Sequence, residues 1–541
     1  MKRSPLPPYH SRLAKSGPSI GRRISGTSPP QPLCSRVCLA GLLTSASLTC
    51  AAQTSVTNTA AVIPVPSVTN APAYTYPPPQ PNALAWRPYP GLLNTWLRQQ
   101  SPEFNKWNIG AWERFRYESR NYFAANGAGP LAVDFNAASP TAHNNYSLFR
   151  TQVWVGYAPT EWIRGFVEAQ DSSQNGWEGD PNPQANNALG FYQYYAVLGN
   201  LKEFPLTFQA GRQELSYGEE RLIGSFIWDN IGRVFDAARL HYVQDKFWVD
   251  AFAGSLVLPV NRGTDIVNWD EVFWGIYGHS KGIIPKGIAE FYFLGDNANN
   301  NSPNHVGTVQ RGNSPRDIYT IGTHLKSAPG GIHGWDYDVE VDGQFGQYQY
   351  PKGTPVVVNG QKLDHLAYAV HLEGGYSFTN AWARPRVGLF YNQASGDHNP
   401  GDDRHTTFVN LYPTNHKFYG FMDFLSWQNL QQVAVTTTWY PVGKLRATLN
   451  FYVDWLLTTE DFSYNVGQGA RTTGGYGLNP GNQAHFGQEL DLILNYPVLK
   501  WMNVEAGYGH FFTGQYVQES LENTGGAHDA NWYYLQLIGS F

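Results

Sequence analysis

Cysteine is almost missing from this chain. It has three in 541 residues, Cys34, Cys38 and Cys50, all within the first 52. A product that begins after residue 52 has neither a disulfide framework nor a thiolate metal site. Acidic residues are missing from the same 52, which carry seven basic ones (Lys2, Arg3, Arg12, Lys15, Arg22, Arg23, Arg36). An apolar stretch from Val37 to Leu48 and the small residues Cys50-Ala51-Ala52 follow. That order predicts a signal peptide over 1–52, cleaved before Gln53. Its removal leaves 30 Lys+Arg against 42 Asp+Glu, a net charge of −12 where the whole chain has −5. So acidic a product argues against nucleic acid as a partner. Beyond residue 52 there is no run of about 20 apolar residues, which excludes a membrane-spanning helix there. Charged residues are sparse, at 15%.

Aromatic residues and glycine are abundant: Tyr 33, Phe 29, Trp 18 and Gly 55. Residues 53–105 begin with a Thr, Ala, Val and Pro-rich stretch (VIPVPSVTNAPAYTYPPPQP) that cannot bury a core and predicts a periplasmic tether. From residue 106 to 541 the pattern has period 2. In HLAYAVHLEGGYSF one phase holds Leu366, Tyr368, Val370, Leu372, Tyr376 and Phe378, and the other His365, His371 and Glu373. In KLRATLNFYVDW, Leu445, Leu449, Phe451, Val453 and Trp455 alternate with Arg446, Thr448, Asn450 and Asp454. Such strands have one apolar and one polar face. Soluble strands average about 5–6 residues, and a tilted strand across a bilayer needs about 9–11; these have the membrane length.

Short turns are expected at Ala158–Glu161, Asn200–Phe204, Gln244–Lys246, Lys281–Gly287, Ser327–His333, Thr379–Trp382, Pro441–Lys444 and Pro497–Lys500. Long polar connections separate them, including DNANNNSPNHVGTVQRGNSPRD and TTGGYGLNPGNQ. Eight short turns join sixteen strands, and one strand before and one after bring the count to about 18. The expected fold is all-β: a transmembrane antiparallel β-barrel of the bacterial outer membrane, with short periplasmic turns and long extracellular loops. The ending NWYYLQLIGSF, with its terminal Phe541, suits a barrel-closing strand.

With apolar residues toward lipid, the other phase lines the lumen. It places Arg114, Arg116, Arg150, Arg164, Glu168, Arg239, His241, Arg384 and Arg386 inside. Asp336, Asp338, Glu340, Asp342, Glu373, Asp454, Glu489, Asp491 and Glu505 share that face. Arginines dominate the early strands and carboxylates the late ones, a ladder that could serve a polyanion or merely satisfy buried charge. In GRQELSYGEERL, Arg212 continues the lipid-facing phase of Leu206, Phe208 and Ala210, so a bulge at Gly211 or emergence above the membrane is expected. With Arg221, Arg233, Asp236 and Arg239 it forms a hairpin expected at the pore mouth or constriction.

The stretch GRQELSYGEERLIGSFIWDNIGRVFDAARL resembles the signature of the alginate export family of outer-membrane β-barrels. So do GLFYNQASGDHNPGDDRHTTFVNLYPTNHKFYGFMDFLSWQN, HFGQELDL and EAGYGHFFTGQYV. The resemblance implies an eighteen-stranded barrel that passes a polyuronate through a pore narrowed by arginines and acids. Arg114, Arg116, Arg150, Arg164, Arg212, Arg221, Arg233, Asp236, Arg239 and Arg386 are the expected pore-lining residues. The expected partners are an anionic polysaccharide or oligosaccharide and outer-membrane lipid, with periplasmic secretion components a further candidate.

Export of an alginate-like polymer and uptake of oligosaccharides or small solutes by diffusion both stay open. An enzyme is disfavoured, since no GxSxG, HExxH or spaced carboxylate pair occurs and no catalytic residue is assigned. An energised uptake receptor needs a folded plug domain, for which residues 53–105 are too few and too Pro-rich. No cofactor or metal is expected. Asp397, Asp402 and Asp403 in GDHNPGDDRH match no calcium-loop spacing and read as a solvated acidic loop.

Overall fold

Alternation of apolar and polar residues, repeated over 10 to 15 positions, decides the architecture. The computed structural model describes residues 91–122, 133–139, 143–176, 186–299, 315–350, 354–358, 360–416 and 418–541. The expected signal peptide, 1–52, lies outside them. So does the tether as far as residue 90. Its last part, residues 91–105, holds instead a helix α1 (Leu92–Gln100) and most of a 3-10 turn (Pro102–Lys106) that lead into the first strand.

Strand β1 (Trp107–Asn121) is followed by hairpins that share short turns: β2 (His143–Tyr157) with β3 (Ile163–Asn175), β4 (Asn187–Leu198) with β5 (Leu206–Gln213), and β6 (Phe235–Val243) with β7 (Phe247–Leu258). After the two-residue β8 (Ile266–Val267) come β9 (Glu271–Ser280) with β10 (Gly287–Ala298), β11 (Arg316–Ser327) with β12 (Trp335–Tyr348), and β13 (Leu363–Ser377) with β14 (Arg386–Ala394). The two-residue β15 (Arg404–His405) precedes β16 (Leu430–Trp439) with β17 (Arg446–Leu456) and β18 (His485–Leu499) with β19 (Met502–Thr513). A short helix α2 (Gln515–Leu521) leads to β20 (Ala530–Ser540). Leaving aside β8 and β15, eighteen strands pair antiparallel with their neighbours, and β20 returns to β1 from Trp112↔Ser540 to Asn121↔Asn531. The sheet therefore closes into a barrel, leaving no free edge over that register. Seven of the eight expected turns lie where the sequence put them; the eighth, expected at Pro497–Lys500, is displaced, since Pro497 to Leu499 still belong to β18 and the chain turns at Lys500 and Trp501. All eight lie at one end of the barrel together with the start of β1 and the end of β20.

The faces separate cleanly. On β13 the outward Leu366, Tyr368 and Leu372 are exposed, whereas the inward His365 and His371 are buried. Exposed apolar side chains on a protein this rich in polar residues belong against lipid. At the short-turn end the outward residues are aromatic, as with Tyr157, Trp162, Phe204, Trp335, Phe378 and Phe541. Such a girdle marks the membrane–water boundary.

Candidate functional site

Two long connections turn inward instead of rising from the barrel. Residues 214–234, between β5 and β6, meet residues 395–429, between β14 and β16, inside the wall. Ile223 and Tyr412 form a parallel bridge. The Gly224 N–H donates to the Tyr412 carbonyl at 2.8 Å and the Tyr412 N–H to the Leu222 carbonyl at 2.8 Å. Aromatic contacts then spread to opposite walls. Tyr217 stacks on Tyr277 of β9 (4.7 Å), Trp228 meets Tyr534 of β20 edge-on (5.2 Å), and Phe424 meets Phe511 of β19 (5.0 Å). Burial of these rings is what brings polar-rich loops into the bore.

The charged ladder grips these loops. Arg114 donates to the carbonyls of Ile227 (2.8 Å), Trp228 (3.2 Å) and Asp229 (2.8 Å) and to Asn230 Oδ1 (3.2 Å). Arg116 donates to the Trp228 carbonyl at 2.7 Å, lies 3.9 Å over the Trp228 ring, and is held by Glu118 at 2.7 Å. Arg150 reaches the carbonyls of Ile227 (3.2 Å) and Asp229 (3.4 Å). Late-strand carboxylates hold the second loop by its N–H groups. Glu489 accepts from Met422 N–H at 2.8 Å and Asp491 from Phe421 N–H at 3.1 Å. The asymmetry seen in the sequence thus has a structural use: early arginines bind carbonyls of one loop and late acids bind amides of the other.

The loops carry their own charges to the wall. Arg221 pairs with Glu340 (2.9 Å) and Asp338 (3.6 Å) of β12. Burial disfavours its charge, but these two acids more than offset that and hold the guanidinium above its usual range. Arg233 ties the loops together through the carbonyls of Gly224 (3.1 Å) and Pro413 (2.8 Å). Glu219 pairs with Lys326 of β11.

Toward the short-turn end the lumen-facing cations Arg164, Arg239 and Arg386 are partly buried, and Arg446 is exposed. Arg239 donates to Gln209 (2.8 Å) and lies 3.7 Å from Asp250, which also pairs with His241. Arg386 is paired with Asp336 and with Glu373 (2.8 Å). Arg164 and Arg446 face the same space from β3 and β17.

Two expected pore residues are elsewhere. Tyr194, Arg212 and Asp236 are direct cross-strand partners, and directly opposed residues share a face. That face is the outward one of Ala210 and Leu240. Pairing through β5 has no register shift, so there is no bulge at Gly211, and Arg212 lies near the extracellular end of a short hairpin. It is paired there with Asp236 (2.8 Å) and lies 3.8 Å from Asp265, and it stands over the Tyr194 ring. Arg212 and Asp236 thus form an outer-face ion pair. Arg384, also expected inside, lies in the β13–β14 turn over Tyr440. Arg114, Arg116 and Arg150 do face the lumen, yet as loop clamps.

Sequence reasoning missed the clamps' partners and the inward course of residues 395–429. A signal was present: Phe408, Tyr412, Phe418, Tyr419, Phe421, Phe424 and Trp427 are more rings than a water-exposed loop would carry. It missed Glu118 too, a fully buried carboxylate that also holds Arg120 (2.8 Å), Tyr146 (2.8 Å) and Trp532 (3.0 Å). Asp397, read as solvated, is buried and accepts from the Asn399 N–H (3.1 Å). Its own N–H donates to Asp461. Among the described residues one group of potential metal ligands stands close together, Glu219, His324 and Asp338. The Lys326 ammonium lies against both Glu219 and Asp338 there.

The sequence pattern of the family described as alginate export matches residues 132–530. The chain belongs to the alginate export family. As a member of that family with a closed eighteen-strand barrel, it is a porin of the bacterial outer membrane. No curated protein matches its sequence. Similar solved structures include three from Pseudomonas aeruginosa. OccK11 (OpdR) is 12% identical, with 80% of this chain and 96% of that one covered and a TM-score of 0.46. For OpdQ the figures are 12%, 82%, 99% and 0.48. For OccK2 (OpdF) in complex with glucuronate they are 10%, 80%, 98% and 0.49.

Proposed function

We propose that this alginate-export-family porin passes an anionic polysaccharide of uronate type outward, through a constriction formed by the two inward loops. The observation that carries this reading is the clamp: Arg114 and Arg150, buried in the wall, direct their donors at neutral acceptors, the loop's main-chain carbonyls together with the side-chain amides of Asn230 and Gln170. Among the described residues neither takes part in an ion pair. A carboxylate is a stronger acceptor for guanidinium than a carbonyl, by roughly twofold per bond. A uronate chain that reaches Arg114 and Arg150 can therefore replace the carbonyls and release the loop. The partly buried Arg164, Arg239 and Arg386 and the exposed Arg446 line the periplasmic approach, the side from which an exported polymer enters. In this reading residues 1–52 direct export of the chain and the stretch to residue 90 tethers the barrel mouth in the periplasm.

A second reading, inward diffusion of small solutes, draws on a different observation. Arg239 and Arg386 are matched by Asp250, Asp336 and Glu373, which weakens the net field of the vestibule. Liposomes that hold the porin and are loaded with uronate oligomers or neutral oligosaccharides of equal length separate the two. Faster release of the uronates supports the polyanion pathway; equal release supports general diffusion.

A further inference from the structure

The helix α1 has its polarity inverted for a segment in water. Its one buried side chain is Asn94, 1% exposed, whereas Leu92, Leu93 and Trp96 are 44%, 36% and 55% exposed. At 100° per residue these three lie within one stripe, opposite Asn94 and Arg98.

Its attachments fix where that stripe sits. β20 stops pairing with β1 at Trp112, so the first residues of β1 have no strand partner on that side. The Ala111 N–H points that way and donates to the Phe541 carbonyl at 3.2 Å. Two residues earlier the Ile109 N–H points the same way, and Asn94 Oδ1 accepts it at 2.7 Å. Asn94 Nδ2 donates to Asn108 Oδ1 at 2.6 Å and Arg98 to the Trp107 carbonyl at 3.0 Å. The helix thus takes the place β20 would occupy if it continued. Its neighbours there are girdle aromatics, Trp107 packed on Tyr157 (4.3 Å) and Phe541 on Trp501 (5.5 Å).

We propose that α1 is an interfacial helix whose Leu92–Leu93–Trp96 stripe inserts into the periplasmic-leaflet lipid, continuing the barrel's apolar belt across the seam between β1 and β20. The continuity of the stripe with the girdle selects lipid as the occupant. Arg98 lies on the opposite side, held by the wall. A helix of this kind, apolar on one side and anchored by polar groups on the other, lies in the plane of the interface. It would seal the stretch where the wall lacks a strand and fix the tether at the membrane surface.

The test is spin-label accessibility in phospholipid vesicles. The full chain is used with its three cysteines replaced by serine and a single new cysteine introduced as Leu93→Cys or Trp96→Cys. Leu240→Cys on the outward face of β6 is the lipid control, and Lys202→Cys in a short turn the aqueous control. Lipid contact predicts that labels at 93 and 96 collide more with oxygen than with a water-soluble nickel chelate, as at 240 and with the order reversed at 202. Nickel collisions matching those at 202 would place the stripe in water and overturn the proposal. Shielding from both reagents would show a protein cover and overturn it equally. Both side chains are exposed, so either variant keeps the fold, which heat-modifiable gel migration checks.

Discussion

Arg114→Met removes the strongest single clamp on the first loop, and its effect can be worked from the bonds. Arg114 gives two bonds of 2.8 Å and two of 3.2 Å to residues 227–230. A hydrogen bond to a charged group contributes about 1.5–3 kcal/mol net, so the two short ones amount to about 3–6 kcal/mol. Against this, Arg114 stands directly opposite Arg150 in β2, and relief of that like-charge pair returns up to about 1 kcal/mol. Docking of the loop weakens by about 2–5 kcal/mol, which raises its undocked population roughly 30-fold to several thousand-fold at about 1.4 kcal/mol per decade. In planar bilayers the variant should dwell in a larger-conductance state that the unmodified porin visits rarely. Arg384→Met, on a periplasmic turn, should leave the dwell times unchanged. A folded Arg114→Met barrel with unmodified conductance would refute the idea that this arginine holds the constriction.

Other predictions follow from the same contacts. Gly211 has φ +127°, and a Cβ there would lie 2.3 Å from the Tyr194 carbonyl. Gly211→Val should therefore add strain of at least about 1–3 kcal/mol and lower the temperature of heat-modifiable gel migration. Asp461 is fully buried between residues 395–429 and 457–484, and burial pushes its carboxyl up to about 6 from 3.8 despite bonds from Thr407 and the Asp397 N–H. The folded state binds the proton more tightly, so the stabilisation is full below 3.8 and lost as pH rises through about 6. Both segments should resist proteolysis better near pH 5 than near pH 7.5, by about 1.4 kcal/mol of protection, and Asp461→Asn should flatten the difference. Mass spectrometry of the protein from outer membranes should find Gln53 at its start.

Period-2 alternation made the barrel legible, because the side-chain face of a strand is a direct function of residue parity. The eight turns and the lumen placement of Arg114, Arg116 and Arg150 follow from parity alone. Parity says which face a residue takes, yet nothing of what it meets, and so the clamps looked like free pore lining. Arg212 shows the same limit. Its outward phase was legible, but its partners Asp236 and Asp265 depend on how β5, β6 and a later loop come together. The inward fold of residues 395–429 has no periodicity to announce it, and only its aromatic content hinted at burial. The α1 docking rests on Asn94 and Arg98, which bond the unpaired start of β1, and no local pattern encodes that.

The central claim is that arginines at the loop clamps and the vestibule give this porin a preference for anions. The reversal potential of the refolded protein in a KCl gradient tests it most directly. A potential on the chloride side of zero, moved toward zero by uronate oligomers that occupy the arginines, is the expected result. A potential on the potassium side, indifferent to uronates, would contradict the account.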